Sequence, residues 1–174
     1  MQALLAGSGE ELARNLGQVC CDEARRDDVI AANGHLGLIM LLGAGPDSET
    51  TKVASTALAW LAYQNNERKL RLLQAGVVDP LVALLRTLPT ASNEKVLAHA
   101  ANLVSCLCTT SAGIEAFQEA GAIVPLVSLL DTAPVIARQA ACALCNLSYD
   151  VEAKKDVNHA EILEAGAIPP LVAL

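Results

Sequence analysis

Cysteine spacing is the first feature of this chain that could carry chemistry. Cys142 and Cys145 form a C-x-x-C pair, and Cys106 and Cys108 form a C-x-C pair. Zinc in a structural site takes four tetrahedral nitrogen or sulfur ligands. The internal repeat described below aligns Cys106 with Asn146, which places the two pairs on long helices of adjacent repeats, about 8–10 Å apart. Small buried side chains explain these cysteines better, so we predict no metal and no cofactor.

A second cysteine feature is the vicinal pair Cys20-Cys21 near a predicted helix end. A redox role is left open for it, although a disulfide between these neighbours would be strained. Zinc or redox chemistry is therefore kept as an alternative that metal analysis would decide.

The three histidines do not form a recognisable catalytic arrangement. His35, His99 and His159 fall in three different repeats, and none is paired in sequence with a nucleophile and an acid. A Gly-rich phosphate loop, H-E-x-x-H and G-x-S-x-G are all missing from the sequence. We therefore predict no catalytic residues and no enzyme activity in this chain. His99 aligns with Gln139, where it could add pH sensitivity to binding or be an ordinary polar residue on a helix surface.

Composition narrows the partners and the compartment. The 174 residues carry a net charge of -7, which argues against nucleic acid because phosphate binding needs a basic face. The N-terminus lacks the positive flank of a signal peptide. The longest apolar run, 36–44, is too short for an integral membrane segment. We expect reduced cysteines and a cytoplasmic location, with the nucleus as the alternative.

The elements that position these residues follow a repeat. Gly34, Gly76, Gly121 and Gly166 recur at intervals of 42, 45 and 45 residues. Each glycine is predicted to take positive φ and to end a short helix. After Gly76, Gly121 and Gly166, a proline three or four residues later is placed to begin a second helix.

A longer third helix is predicted in each period, at about 52–63, 95–108 and 135–149. Its apolar positions recur at three and four residues, as one buried helical face requires. Alternation with period two never lasts. The pattern therefore predicts an all-α fold, a right-handed α-α superhelix of three-helix units.

Two sequence segments resemble the armadillo repeat. They are Glu-Ala-Gly-Ala-Ile-Val-Pro-Leu-Val-Ser-Leu-Leu at 119–130 and Ala-Ala-Cys-Ala-Leu-Cys-Asn-Leu-Ser at 140–148. The resemblance covers nearly the whole chain from Glu10 onward. The sequence is similar to those of vacuolar and plant armadillo scaffolds and of β-catenin-like proteins. It implies a single solenoid over 1–174, with a partial repeat at 10–27, repeats at 28–68, 69–112 and 113–157, and a truncated repeat at 158–174. Both ends look cut, so we expect part of a longer array whose exposed terminal repeats could self-associate.

The resemblance also implies where a partner binds. In armadillo proteins the third helices line a concave groove, where an asparagine often hydrogen-bonds the backbone of an extended peptide. Alignment on Ala-Leu-x-Asn-Leu at 143–147 gives a ladder of Asn15, Trp60, Cys106 and Asn146. Adding the neighbouring turns, the predicted partner-binding groove comprises Asn15, Thr56, Trp60, Gln64, His99, Asn102, Cys106, Asn146 and Asp150.

Two of these residues have a structural alternative. Trp60 is predicted to be the one large anchor of the groove, but it could instead pack beneath a neighbouring helix. Asn146 could bind a peptide or could tie down a loop between repeats.

The function expected from this resemblance is a non-catalytic scaffold that binds a protein or peptide partner along the concave groove. One alternative is the substrate-recruiting part of a larger modular enzyme such as a ubiquitin ligase. A further alternative is an importin-α-like cargo adapter. It is disfavoured because Glu11, Thr56, Asn102 and Cys142 occupy the positions where such adapters carry tryptophans.

Overall fold

Helices make up the ordered framework of the protein. A computed structural model describes residues 9–149 and 155–174, with side chains described except at 155–157. The helices are α1 (Gly9–Cys21), α2 (Arg26–Ala31), α3 (Gly34–Leu41), α4 (Glu49–Ala62), α5 (Asn66–Gln74), α6 (Val78–Leu85), α7 (Glu94–Leu107), α8 (Ser111–Glu119), α9 (Ile123–Ser128), α10 (Pro134–Leu147), α11 (Lys155–Glu164) and α12 (Ile168–Ala173). Short 3-10 turns at Glu23–Arg25 and Leu42–Ala44 complete them. Over the described ranges there is no strand.

The helices group into three-helix units. The longest interfaces join α1, α4, α7 and α10, which are the third helices of successive units. The first helices α2, α5 and α8 also contact one another in order. Side-by-side stacking of equivalent helices is the arrangement of a solenoid. The predicted all-α superhelix is confirmed, whereas the repeat boundaries stay a prediction.

Small and branched aliphatic residues build the core. In α7, Leu97, Ala100, Ala101 and Val104 are fully buried, at the three- and four-residue spacing of a helix that packs along one face. Phe117 is the one aromatic side chain among the buried hydrophobic residues described. Alanines on the third helices let neighbouring backbones approach closely, which brings the exposed side chains of these helices together on one surface.

Left-handed residues end the first helices of the units. Gly76, Gly121 and Gly166 have φ of 79°, 68° and 81°, as predicted. The N–H of Val77 donates to the carbonyl of Leu72, and Gly76 N–H to Leu73. This is the Schellman arrangement, in which a residue with positive φ closes the helix.

The prediction for Gly34 is wrong by one residue. Asn33 takes the left-handed conformation, with φ of 57°, while Gly34 begins α3. Asparagine is among the few residues besides glycine that enter this region readily. Gly34 is needed for space instead, because a Cβ there would lie 2.9 Å from Cγ1 of Val29.

Among the described residues, no helix has both the length and the apolar character needed to cross a bilayer.

Candidate functional site

Trp60 stands out on the surface of the third helices. It lies near the end of α4 and is 42% exposed, so it is not packed beneath a neighbouring helix. The guanidinium carbon of Arg26 lies 5.3 Å from the indole centroid. The ring of Tyr63 meets it edge-on, with centroids 6.3 Å apart. A cation–π contact and an aromatic pair thus orient the indole.

Arg26 is itself fixed in place. It is buried, and its Nε donates to the carbonyl oxygen of Cys20 at 2.9 Å. A guanidinium anchored in this way holds the Trp60 ring from a defined side, so the indole is preorganised for contact with another molecule.

A cavity of about 270 Å³ opens between α4 and α7. Its lining comprises Thr56, Ala59, Trp60, Tyr63, His99, Asn102 and Cys106. We call it the α4–α7 cavity. The structure brings five predicted groove residues together here, namely Thr56, Trp60, His99, Asn102 and Cys106.

A second cavity of about 280 Å³ opens on the other side of Trp60, between α1 and α4. Its lining comprises Arg14, Gly17, Gln18, Cys21, Lys52, Val53, Thr56, Ala57 and Trp60. We call it the α1–α4 cavity. Because Trp60 and Thr56 belong to both linings, the indole is a wall between two adjacent sites.

Asn15 does not line either of these cavities, and its alignment with Trp60 is wrong. The buried positions of α1, which include Leu16, Val19 and Cys20, match Leu58, Leu61 and Ala62 of α4, each 42 residues later. Gln18 is therefore the counterpart of Trp60, and Asn15 is the counterpart of Ala57.

Among the lining residues that the sequence analysis missed are the polar side chains of Arg14, Gln18, Lys52 and Tyr63. The signal that could have found two of them is the burial pattern of α1 and α4. Comparing the apolar positions of α1 with those of α4 gives the 42-residue offset, and that offset aligns Arg14 with Thr56 and Gln18 with Trp60.

Asn146 links two third helices. Its Nδ2 donates to the backbone oxygen of Ser105 at 2.8 Å and approaches Oγ of the same residue at 3.1 Å. These contacts tie α10 to α7. The sequence analysis gave as an alternative that Asn146 ties down a loop between repeats, and the role seen here is similar, except that the amide holds a helix and not a loop. Asn146 also lines neither cavity beside Trp60.

Gln64 and Asp150 are the two remaining predicted residues. Gln64 follows α4 with φ of 50°, and its Nε2 donates to the hydroxyl of Tyr63 at 3.1 Å. It therefore supports an aromatic side chain that lines the α4–α7 cavity. Asp150 lies outside the described residues.

Two side chains in the α4–α7 cavity, His99 and Cys106, favour their neutral forms. Burial lowers the pKa of His99, and the positive charges of Lys52 and Lys95 lower it further. Burial raises the pKa of the Cys106 thiol, with a smaller opposing effect from Lys69. A protonated thiol is a poor nucleophile and a poor metal ligand.

The other cysteines are dispersed. Burial raises the pKa of Cys20 to about 12 and also raises that of Cys108, whereas Cys21, Cys142 and Cys145 are exposed. Within residues 9–149 and 155–174, no three His, Cys, Asp or Glu side chains come together as a potential metal site.

The geometry defines an α-helical solenoid with two small cavities along its third helices, and comparisons with known proteins give its family. A family model of the Armadillo/beta-catenin-like repeat matches residues 110–149. A designed armadillo repeat protein in complex with the peptide (KR)4 is 30% identical, with a TM-score of 0.82 over 99% of this chain and 71% of that one. Computationally designed armadillo repeat proteins for modular peptide recognition match with the same identity and coverage and a TM-score of 0.83. The chain belongs to the armadillo-repeat family.

Two further comparisons complete this result. An engineered protein that is 27% identical superposes with a TM-score of 0.84, over 99% of this chain and 70% of that one. No curated protein sequence matches the chain significantly. The armadillo fold commonly binds peptide partners and is typically not catalytic.

Proposed function

We propose that this chain is a non-catalytic scaffold that binds an extended segment of a protein partner across its third helices, at Trp60. The observation that carries the proposal is the preorganised indole between two cavities. Tryptophan is the residue type most enriched among interface hot spots. Contacts with Arg26 and Tyr63 mean that little side-chain entropy is lost when a partner covers this indole.

The α4–α7 cavity supports this function through its mixture of groups. Ala59, Trp60 and Cys106 offer apolar area for one large side chain of the partner. Thr56 and Asn102 stand on facing helices at the same cavity. Hydroxyl and amide groups can both donate and accept, which suits the backbone of an extended peptide.

An affinity pull-down of wild-type chain beside Trp60→Ala tests the proposal, with captured partners then measured by titration. We expect Trp60→Ala to weaken binding by about 2 kcal/mol, because truncation of a hot-spot tryptophan costs at least this much. Met40→Ala is the matched control, since Met40 is an exposed large apolar residue on α3 and away from both cavities. Equal affinity of wild type and a fully helical Trp60→Ala variant would remove Trp60 from the binding site.

Two subsidiary properties belong to the same proposal. Ile168, Val172 and Leu174 are exposed on or beside α12, and contiguous apolar surface favours self-association. If light scattering gives the molar mass of a monomer as the protein concentration is raised, self-association is excluded. We also propose a cytoplasmic location, with the nucleus as the alternative, which imaging of the tagged chain would check.

A further inference from the structure

The charged residues that line the α1–α4 cavity are opposite in sign to the net charge of the chain. The sequence has 19 acidic and 12 basic residues. Yet Arg14 and Lys52 line the α1–α4 cavity, and no described Asp or Glu lines either cavity beside Trp60. The α1–α4 cavity is therefore lined by two cations on a molecule that is negative overall.

The two cations of the α1–α4 cavity are held by weak local pairs. Arg14 lies 2.8 Å from Glu10, and both side chains are 63% exposed. Lys52 lies 2.6 Å from Glu49 one turn away, and 29% of the Lys52 side chain and 64% of the Glu49 side chain are exposed. Pairs whose carboxylate is exposed to solvent contribute little to stability because water and salt screen them. A carboxylate from a partner can therefore replace Glu10 or Glu49 at small cost.

The lining of the α1–α4 cavity also has an apolar part. Gly17, Val53 and Ala57 supply it, and we call this part the floor. Glutamate fits this arrangement, since its two methylene groups can cover the floor while its carboxylate reaches Arg14 and Lys52. Aspartate has one methylene fewer and covers less of it.

The separation of the cavities sets the spacing of the partner's side chains. One cavity lies between α1 and α4 and the other between α4 and α7. Packed helix axes are about 8–10 Å apart, and an extended chain advances about 3.3 Å per residue. Side chains that fill both cavities are therefore two or three residues apart.

We propose that the partner segment presents a large apolar side chain to the α4–α7 cavity and, two or three residues away, a glutamate to the α1–α4 cavity. The inference rests on the proposed function and specifies the chemistry of its partner. Arg14 and Lys52 repel a lysine- or arginine-rich segment, so the expected partner differs in charge from the (KR)4 peptide held by the designed relative.

A direct test uses Trp60, which is the single tryptophan of the chain. Its indole N–H therefore gives one identifiable resonance in a ¹⁵N-correlated spectrum. Synthetic Gly/Ser peptides with one Phe and one Glu, spaced by two or three positions in both orders, are titrated to millimolar concentration. Matched peptides carry Gln or Lys in place of Glu, or Ala in place of Phe. We expect at least one Phe/Glu peptide to bind about tenfold more tightly than its Lys counterpart, with the difference shrinking as salt is added.

Charge-neutral variants locate the preference. Arg14→Gln combined with Lys52→Gln should abolish the difference between the Glu and Gln peptides, and both side chains are on the surface, so the fold should persist. Arg138→Gln is the matched control, because Arg138 occupies the position of α10 that corresponds to Lys52 of α4, and it lies outside both cavities. A preference that survives in the double variant, or that Arg138→Gln removes as well, overturns the assignment to the α1–α4 cavity.

The outcomes separate this inference from the proposed function. If Lys or Gln peptides shift the Trp60 resonance as tightly as Glu peptides, the acidic partner is wrong and binding at Trp60 stands. If no peptide moves the resonance, both are overturned. If Phe→Ala peptides bind as well as the Phe/Glu peptides, the apolar anchor in the α4–α7 cavity is wrong.

Discussion

At the scale of single residues, one arrangement recurs at the ends of the third helices. The last carbonyls of a helix have no partner within that helix. Here a side chain from the following first helix supplies one. Nε of Arg26 donates to Cys20 and Nε of Arg68 to Leu61, while Nδ2 of Asn158 donates to Leu147. A donor from the following first helix is therefore kept at the ends of α1, α4 and α10, although the residue type changes, whereas at the end of α7 Gly113 lies directly against the carbonyl of Leu107.

Arg68 allows carbonyl capping and ion pairing to be compared. Its side chain is 7% exposed, whereas its ion-pair partner Asp27 is 76% exposed. The pair spans 2.8 Å, and so does the bond from Nε to the carbonyl of Leu61. Solvent screens the exposed carboxylate, while the buried carbonyl depends on the guanidinium alone for its satisfaction.

We predict that Arg68→Met lowers the free energy of unfolding by about 2–3 kcal/mol, because a charged hydrogen bond is lost and a buried carbonyl is left without its donor. Asp27→Asn should cost less than about 1 kcal/mol, as expected for an exposed pair. Urea denaturation followed by circular dichroism measures both. Equal losses in the two variants would show that the ion pair, and not the carbonyl cap, dominates.

At the scale of elements, the turn between the first and second helices fixes each unit. Three of the four described turns place glycine in the left-handed region, and the first uses Asn33. In this first turn, Gly34 follows Asn33 and begins the second helix. Gly34 lies so close to Val29 that a Cβ would force a shift. Two adjacent positions thus meet separate demands, one for backbone conformation and one for space.

Substitutions at this turn should separate the two demands. We predict that Asn33→Ala destabilises the chain by about 1 kcal/mol, since alanine lacks the tolerance of asparagine for positive φ, while Asn33→Gly leaves stability unchanged or slightly higher. Gly34→Ala should destabilise through contact with Val29. Gly43→Ala is the control, because a Cβ there meets no atom within 4 Å. Thermal unfolding of the four variants gives the order, and a stable Asn33→Ala would contradict the conformational argument.

The same elements show how far the sequence alone determines the structure. Third-helix positions were predictable because apolar spacing marks a buried face, and α7 and α10 were placed to within two residues. The register of α1 was not, because offsets of 42 and 45 residues differ by about one helical turn and both keep its apolar residues on one face. The choice between Asn33 and Gly34 also escaped, since both residues tolerate a turn and only packing against Val29 distinguishes them. The α4–α7 cavity could be outlined from the aligned residues of the third helices. The contacts of Arg26 and Asn146 could not be predicted, because they arise between units and depend on how the superhelix stacks them.

At the scale of the whole molecule, stability is shared between neighbouring units, so a local change affects the entire stack. Two histidines offer such local changes. Burial lowers the pKa of His35, assisted by the charge of Arg71, and burial with Lys52 and Lys95 lowers that of His99. His35 also has a buried Nδ1 without a hydrogen-bond partner in the structure. Both imidazoles are therefore held in the neutral form by the folded chain.

The direction of the pH effect follows from these shifts. An unfolded histidine has a pKa near 6.5, and each folded histidine titrates below it. At a pH between the two values the unfolded chain binds more protons, so stability rises with pH, is fully present above about 6.5 and is lost as pH falls through the folded pKa. We predict that the urea concentration at the midpoint of unfolding decreases when the pH is lowered from 7.5 to 5.5. This decrease should be smaller in the double variant His35→Gln/His99→Gln. Each histidine contributes at most about 1.4 kcal/mol per pH unit, so the difference between the two slopes cannot exceed twice that value. Parallel curves for the wild type and the double variant would mean that other groups carry the pH dependence, and that neither imidazole is held neutral by the fold.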